Sequence, residues 1–185
     1  DAQESRGLGD VYKRQILDYL PYGYPMGGRM TPIAQAIGEK TLVLLELVPR
    51  RGVTLEQKEK VYIGSEKRDK IYYIAGRLQK SKLTESAKIQ LKEFVEKLVA
   101  EQEKKFVDFF NNARPINTRL HQLELIPGLG KKHTKEIIEE REKKPFESFE
   151  DIKNRLANIP DPKKSIEKRI LEELLEEQRF NLFVK

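Results

Sequence analysis

The chain contains no cysteine, which excludes disulfides, thiolate zinc sites and cysteine nucleophiles together and fits a reducing cytoplasm. Two histidines are present, His121 and His133; without cysteines they are too few for a metal cage. No uninterrupted apolar run approaches the roughly 20 residues of a membrane-spanning helix, and no signal-peptide pattern opens the sequence. The phosphate-cradling Walker pattern, the GxSxG elbow and the clustered aspartates of two-metal chemistry are all missing. The acids are mostly glutamates in helical runs with lysine or arginine three or four residues away, the spacing of solvated ion pairs. No catalytic constellation, no cofactor and no membrane partner are therefore expected.

What is present is charge. Of 185 residues, 38% are hydrophobic and 36% charged, an apolar supply that suits two small cores better than one thick one. The net charge of +6 and a pI near 9.3 favour an anionic partner. Residues 1–15, DAQESRGLGDVYKRQ, show no apolar period and read as a leader of translated adapter sequence.

From Ile16 to about Leu78 the pattern is strand-like. ILDYL, AQAIGEKTLVLLELVP, KVYIG and KIYYIAGRL are separated by the turn-forming PYGYPMGG, PRRG and GSEKRD. Short strands at this spacing predict a small closed β-barrel over residues 16–80, OB-like or SH3-like. Eleven basic and seven acidic residues place most of the net charge in this block. Thr84 is a helix N-cap candidate. After it, Leu91, Phe94, Val95, Leu98 and Val99, then Phe106, Phe109 and Phe110, repeat at helical spacing. They predict one long amphipathic connecting helix within 81–114, ending before Pro115. An all-α domain over 115–178 follows, with segments at Thr118–Ile126, Lys131–Lys144, Phe149–Ala157 and Pro162 to about Gln178. A capping spacing at Ser148 and Asp151 opens the third segment. The tail, residues 179–185, is apolar enough to pack back on another element. The predicted class is α+β.

The most informative stretch is LIPGLGKK, Leu125 to Lys132. Two apolar helical segments lie only a few residues apart here, and so tight a reversal needs positive φ somewhere, which Gly128 supplies without a Cβ clash. Gly130 at the entrance to the next helix leaves the first-turn N–H groups bare, with Lys131 and Lys132 adding positive charge. Pro127, Gly128, Leu129, Gly130, Lys131 and Lys132 are thus candidate phosphate contacts. The plainer account is a tight turn followed by a solvated first turn. Lys67, Arg68 and Lys70, ahead of Tyr72 and Tyr73, form a second candidate for single-stranded nucleic acid. Strand alternation there predicts one tyrosine inside and the other outside. Arg50 and Arg51 are a weaker pair. Tyr19, Tyr22 and Tyr24 beside Arg29 could stack on bases, although closing the barrel around Pro21 and Pro25 is the commoner use. His133, in the first turn of the same helix, could also touch phosphate.

LELIPGLGKKHTKEIIEERE resembles the helix-hairpin-helix motif of DNA- and RNA-binding proteins, which grips the sugar-phosphate backbone with little sequence preference. Thr134 departs from the small alanine usual there. KPFESFEDIKNRLANIPDPKKSIEKRILEELLEE resembles the second hairpin of a tandem pair, but its turn reads IPDP, so Asp161 would repel phosphate and this hairpin is expected to be structural. LDYLPYGYP, IAQAIGEKTLVLLELVP, VYIGSEKRDKI and RLHQLELIPGLGKK together resemble the archaeal domain of unknown function family 655, over nearly the whole chain from Ile16 to Lys185. Its members are described as predicted RNA-binding proteins with an N-terminal barrel and a C-terminal helix-hairpin-helix part. Their genes neighbour those for a ribosomal protein, an RNA polymerase subunit and a ribosomal RNA dimethyltransferase. The resemblance implies a non-enzymatic RNA-binding protein acting around ribosome production or transcription, with ribosomal or RNA-processing proteins as partners. A duplex DNA module of repair or transcription and a protein assembly adaptor are the alternatives.

Overall fold

The strand-like runs become five strands in a computed structural model that describes residues 11–28 and 30–185. They are β1 (Lys13–Leu20), β2 (Ile33–Ile37), β3 (Leu44–Pro49), β4 (Lys60–Tyr62) and β5 (Ile71–Arg77). All four ladders are antiparallel and the order is β4-β1-β2-β3-β5, a curled half-barrel. β1 takes in Lys13 to Gln15, which the sequence pattern had left in the leader; the first ten residues of that leader lie outside the described residues. Five helices follow: α1 (Glu85–Glu101), α2 (Glu103–Asn112), α3 (Lys131–Lys143), α4 (Phe149–Arg155) and α5 (Pro162–Leu175). Contacts divide the chain into two units, one running to Glu93 together with Phe183–Lys185, the other Phe94–Leu182. The division falls inside α1.

In the first unit, Ile16, Ala34, Ala36, Leu47, Val61 and Ile71 pack with Leu55 and Ile63 into one core on one face of the sheet. Bulges at Leu17, and opposite Glu46/Leu47 and Val48/Pro49, bend the strands. The expected closed barrel is open. β4 has three residues and pairs with β1 alone, and among the described residues no ladder joins β4 to β5. The two strand starts are tied instead by an ion pair between Lys70 and Glu59. Both Tyr72 and Tyr73 are exposed, against the expected alternation, because the register shift at Val48/Pro49 places Tyr72 outside the ladder on an edge strand. Gln35, fully buried, spends its amide completely. Nε2 donates to Tyr24 Oη (3.1 Å) and Lys82 O (2.7 Å), and Oε1 accepts from Thr84 N (3.2 Å). Thr84 caps α1 as expected, accepting from Ala87 N (3.0 Å) while its hydroxyl donates to Asp18.

The single long helix is two, broken at Gln102, whose ψ of 35° leaves the helical well. The apolar stripe that ends at Leu98 and Val99 meets Gln102 and Glu103 where its next turn should be, so no packing holds the helix continuous there. Phe106, Val107 and Phe110 of α2 are buried in the second unit. Arg141 Nη1 donates to the Phe110 and Ala113 carbonyls (3.1 and 2.8 Å), and Arg155 Nη2 to those of Glu140 and Lys144 (2.6 and 2.7 Å). Both arginines thereby serve the carbonyl ends of α2 and α3. Within this unit, residues 179–182 pack on α5. Arg169 and Glu173 form a buried ion pair at 2.8 Å, Arg169 Nη2 donates to Phe180 O (2.6 Å), and Leu182 N donates to the Glu173 carboxylate (2.9 and 3.0 Å). Arg169→Met leaves a buried carboxylate without its cation and is expected to cost about 3–5 kcal/mol, read as a lower urea midpoint for this unit. Adding Glu173→Leu should recover part of that loss.

Candidate functional site

The turn between the two apolar segments is built as the glycine spacing demands. Leu129 N donates to Ile126 O at 3.0 Å, closing a four-residue turn with Pro127 in its second position and Gly128, φ +86°, in its third. That is the type II arrangement, proline then glycine. Gly128 has a second reason to lack a side chain, since a Cβ there would come within 2.8 Å of Pro160 Cγ. The proline of the IPDP turn therefore sits directly against the IPGLG turn. Leu129, nearly buried, anchors the connection from below.

The first limb departs from expectation. In place of a helix over Thr118–Ile126 there is a turn, an isolated bridge between Pro115 and His121, and a 3-10 segment, Gln122–Leu125. Asn117 explains the difference. Its side-chain oxygen accepts from Arg119 N and Leu120 N (2.8 and 2.9 Å), while Ile116 N and Asn117 N donate to Leu120 O, so the chain closes on itself before a helix can start. His121 then caps the 3-10 segment. Its Nδ1 accepts from Leu123 N (3.1 Å), and Glu124 accepts from His121 N (2.7 Å) in return.

At α3 the backbone of Gly130 is extended (φ −97°, ψ −167°), its carbonyl accepts from Thr134 N and Thr134 Oγ1, and no side chain caps the first turn. Thr134, the departure from alanine, is thus spent on the helix's own backbone. The starts of α4 and α5 contrast with it, whereas α2, behind Gln102, also lacks a side-chain cap. Ser148 accepts from Asp151 N at α4 (2.9 Å), and Asp161 accepts from Lys163 N and Lys164 N at α5. The Asp161 carboxylate occupies the place an anion would take. Beyond its chain neighbours no atom lies within 4 Å of the position a Cβ would fill on Gly130, so the entrance to α3 is open on that side.

The two lysines beside them differ. Lys131 Nζ is held by Glu124 (3.1 Å) and by Arg119 O (2.9 Å), fastening the Asn117 turn to α3. Lys132 is exposed and makes no hydrogen bond or ion pair among the described residues. His133 Nε2 lies 3.2 Å from Asn158 O, so the ring is occupied within the fold. The structure adds Arg119, exposed on the turn that Lys131 fastens. Glu124 also belongs here, its carboxyl held below the usual range by the His121 N–H and by Lys131. The sequence carried a signal for this pair in the His-x-x-Glu capping spacing. Burial, with Arg141 nearby, pushes His121 below its ordinary 6.5.

In the first unit the three candidate bases separate. Arg68 Nε donates to Gly64 O (2.7 Å) while its carbonyl accepts from Arg50 Nε (2.6 Å), and Lys70 is paired with Glu59. Lys67 alone of the three is exposed and without a partner among the described residues, in a groove beside Lys13, Lys60 and Tyr62 at the β4 edge. Among the described residues no group of three or more His, Cys, Asp or Glu side chains could hold a metal, and no helix is long and apolar enough to cross a membrane.

Gly128→Ala is expected to destabilise the second unit by about 1–2 kcal/mol from its positive φ alone, and by more from the Pro160 contact; thermal unfolding reads the loss. His121, with its pKa lowered on folding, stabilises the native state above the unfolded value of 6.5. That contribution is lost as pH falls from there toward the lowered folded value. Thermal stability should drop over that window, and His121→Gln should flatten the drop.

Two known proteins are similar to this chain, one of them in solved structure. A protein of Methanocaldococcus jannaschii, named only as uncharacterized, is 46% identical over 172 residues, covering 92% of this chain and 78% of the relative. The crystal structure of Af1531 from Archaeoglobus fulgidus, assigned to the DUF655 family, superposes with a TM-score of 0.79 at 44% identity, covering 94% of this chain and 99% of that one. The family described as "Protein of unknown function (DUF655)" matches residues 12–185, and the chain belongs to it.

Proposed function

We propose that this protein is a non-catalytic nucleic-acid-binding protein that holds the phosphate backbone at residues 127–132, with RNA the preferred ligand. The observation that carries the reading is the uncapped first turn of α3. No side chain caps its N–H groups, the space at the Gly130 Cβ position is open, and Lys132 beside it has no partner among the described residues, while α4 and α5 have their first-turn N–H groups taken by Ser148 and Asp161. Free backbone donors, the positive end of a helix and an adjacent ammonium together favour a phosphate oxygen. The turn with α3 forms one hairpin of helix-hairpin-helix type with a shortened first limb, and α4 with α5 forms a second whose carboxylate-capped turn is structural. The half-barrel is read as an OB-like or SH3-like module. In this reading Lys132 and the Gly130 to Lys132 amides touch phosphate, and Lys131 positions the turn that carries Arg119. Lys67 offers a separate contact on the first unit. RNA is favoured over duplex DNA by the resemblance to predicted RNA-binding proteins, which also supports ribosomal or RNA-processing partners and a cytoplasmic setting.

Gly130 provides a test in which stability and binding move in opposite directions. Its backbone already has the extended geometry of an N-cap, so Gly130→Asp should leave α3 as stable as before or more so, by a few tenths of a kcal/mol. The new carboxylate takes the amides that phosphate would use, and affinity for structured RNA should fall at least about tenfold. Lys132→Glu should also weaken binding, and Lys132→Ala should flatten the log-log salt slope by roughly one phosphate contact, about 0.7–0.9. A folded Gly130→Asp variant with unchanged affinity for structured RNA and duplex DNA removes the turn from the site.

A further inference from the structure

The face of the sheet opposite the first unit's core carries a groove with a different chemistry. The register sets Val48 opposite Tyr73, and Ile33 continues β2 one residue past the Ala34–Leu47 pair on the same side. The adjacent row runs through Gln35 and Glu46. The segment between β1 and β2 places Tyr24 on this groove, and Lys82 stands beside it, with Ile33, Glu46, Val48 and Tyr73 among the other lining residues. Tyr24 is fixed there, its hydroxyl accepting from Gln35 and its ring 5.4 Å from Lys82 Nζ. Glu46 lies low in the groove, its side chain 14% exposed and 3.9 Å from Lys82 Nζ. Tyr73 is 47% exposed and packs edge-on against Tyr72, ring centroids 5.4 Å apart, on β5, the edge strand of the sheet among the described residues.

We infer that this groove receives an unpaired base of a single-stranded nucleic acid, stacked on Tyr73 with its exocyclic amino group donating to Glu46. The inference names the ligand of a second site and rests on the nucleic-acid reading above. An aromatic face at the rim gives a sequence-tolerant platform. A carboxylate at the base is the acceptor that an amino-bearing base satisfies, as glutamate does for the cytosine amino group. Lys82 in the groove supplies a cation for a flanking phosphate. A peptide strand would use the edge of β5 without needing the pairing of a π face with a carboxylate. A carboxylate acceptor at Glu46 predicts adenine, cytosine or guanine ahead of uracil, which has no amino group.

The test is fluorescence anisotropy of the full chain with labelled octamers of riboadenylate, ribocytidylate, ribouridylate and deoxycytidylate, and with a blunt RNA duplex. The wild type should bind ribocytidylate and riboadenylate more tightly than ribouridylate. Tyr73→Ala, at an exposed position, should weaken octamer binding at least about fivefold and leave duplex binding unchanged. Glu46→Gln should erase the preference over uridine while the salt slope persists. Equal affinity of wild type and Tyr73→Ala for every octamer overturns the inference, as does wild-type failure to bind any of them. The deoxycytidylate arm tells an RNA-selective groove from a general single-strand site. Loss of octamer binding in Tyr73→Ala, alongside duplex binding indifferent to Lys132→Glu and Gly130→Asp, would keep the groove and remove the α3 turn.

Discussion

One missing side chain sets the geometry of the second unit's site. At Gly128 the backbone is held at φ +86°, and the space where a Cβ would stand is filled by Pro160. Any other residue meets both penalties at once, a left-handed backbone and a steric conflict with a ring that has no freedom to swing away. With Gly128 in place the turn closes through Leu129, Leu129 is buried, and Gly130 emerges extended at the start of α3. The direction of the free first-turn amides follows from that sequence of constraints.

Charge in this protein divides by use. Arg141 and Arg155 bond helix carbonyls, Arg169 neutralises a buried carboxylate, Arg68 ties a turn, and Lys70 and Lys131 answer Glu59 and Glu124. A count of basic residues therefore overstates the positive surface offered to a ligand. Lys132 and Lys67, exposed and without partners among the described residues, are the cations of the two candidate clusters that remain available. Lys131 and Lys132, adjacent and chemically identical in the sequence, end in different roles because α3 turns one toward Glu124 and the other toward solvent.

Several elements were legible from local chemistry. Thr84 caps α1, Ser148 caps α4, and the glycine spacing of IPGLG forecasts the positive φ at Gly128. The turn-separated apolar runs forecast the short strands of the first unit. The closed barrel failed because closure depends on the length of β4 and its pairing with a distant strand, neither of which short apolar runs encode. The helix over Thr118–Ile126 failed because Asn117 could bond its own backbone two and three residues on, a local competitor that apolar spacing does not reveal. The alternation at Tyr72 and Tyr73 failed at a bulge, which shifts the register by one residue.

By itself the sequence determined the α+β class, the absence of cysteine chemistry, the tight turn and the family. Each of these is written in residue types or in spacings of a few residues, where propensity and sterics act. The tertiary structure decided which amides stay uncapped, which lysine is spent on an ion pair, and that Tyr24, Glu46 and Tyr73 share one groove. Those facts depend on contacts between residues tens of positions apart, and such contacts are set by strand register and packing, which local patterns do not carry.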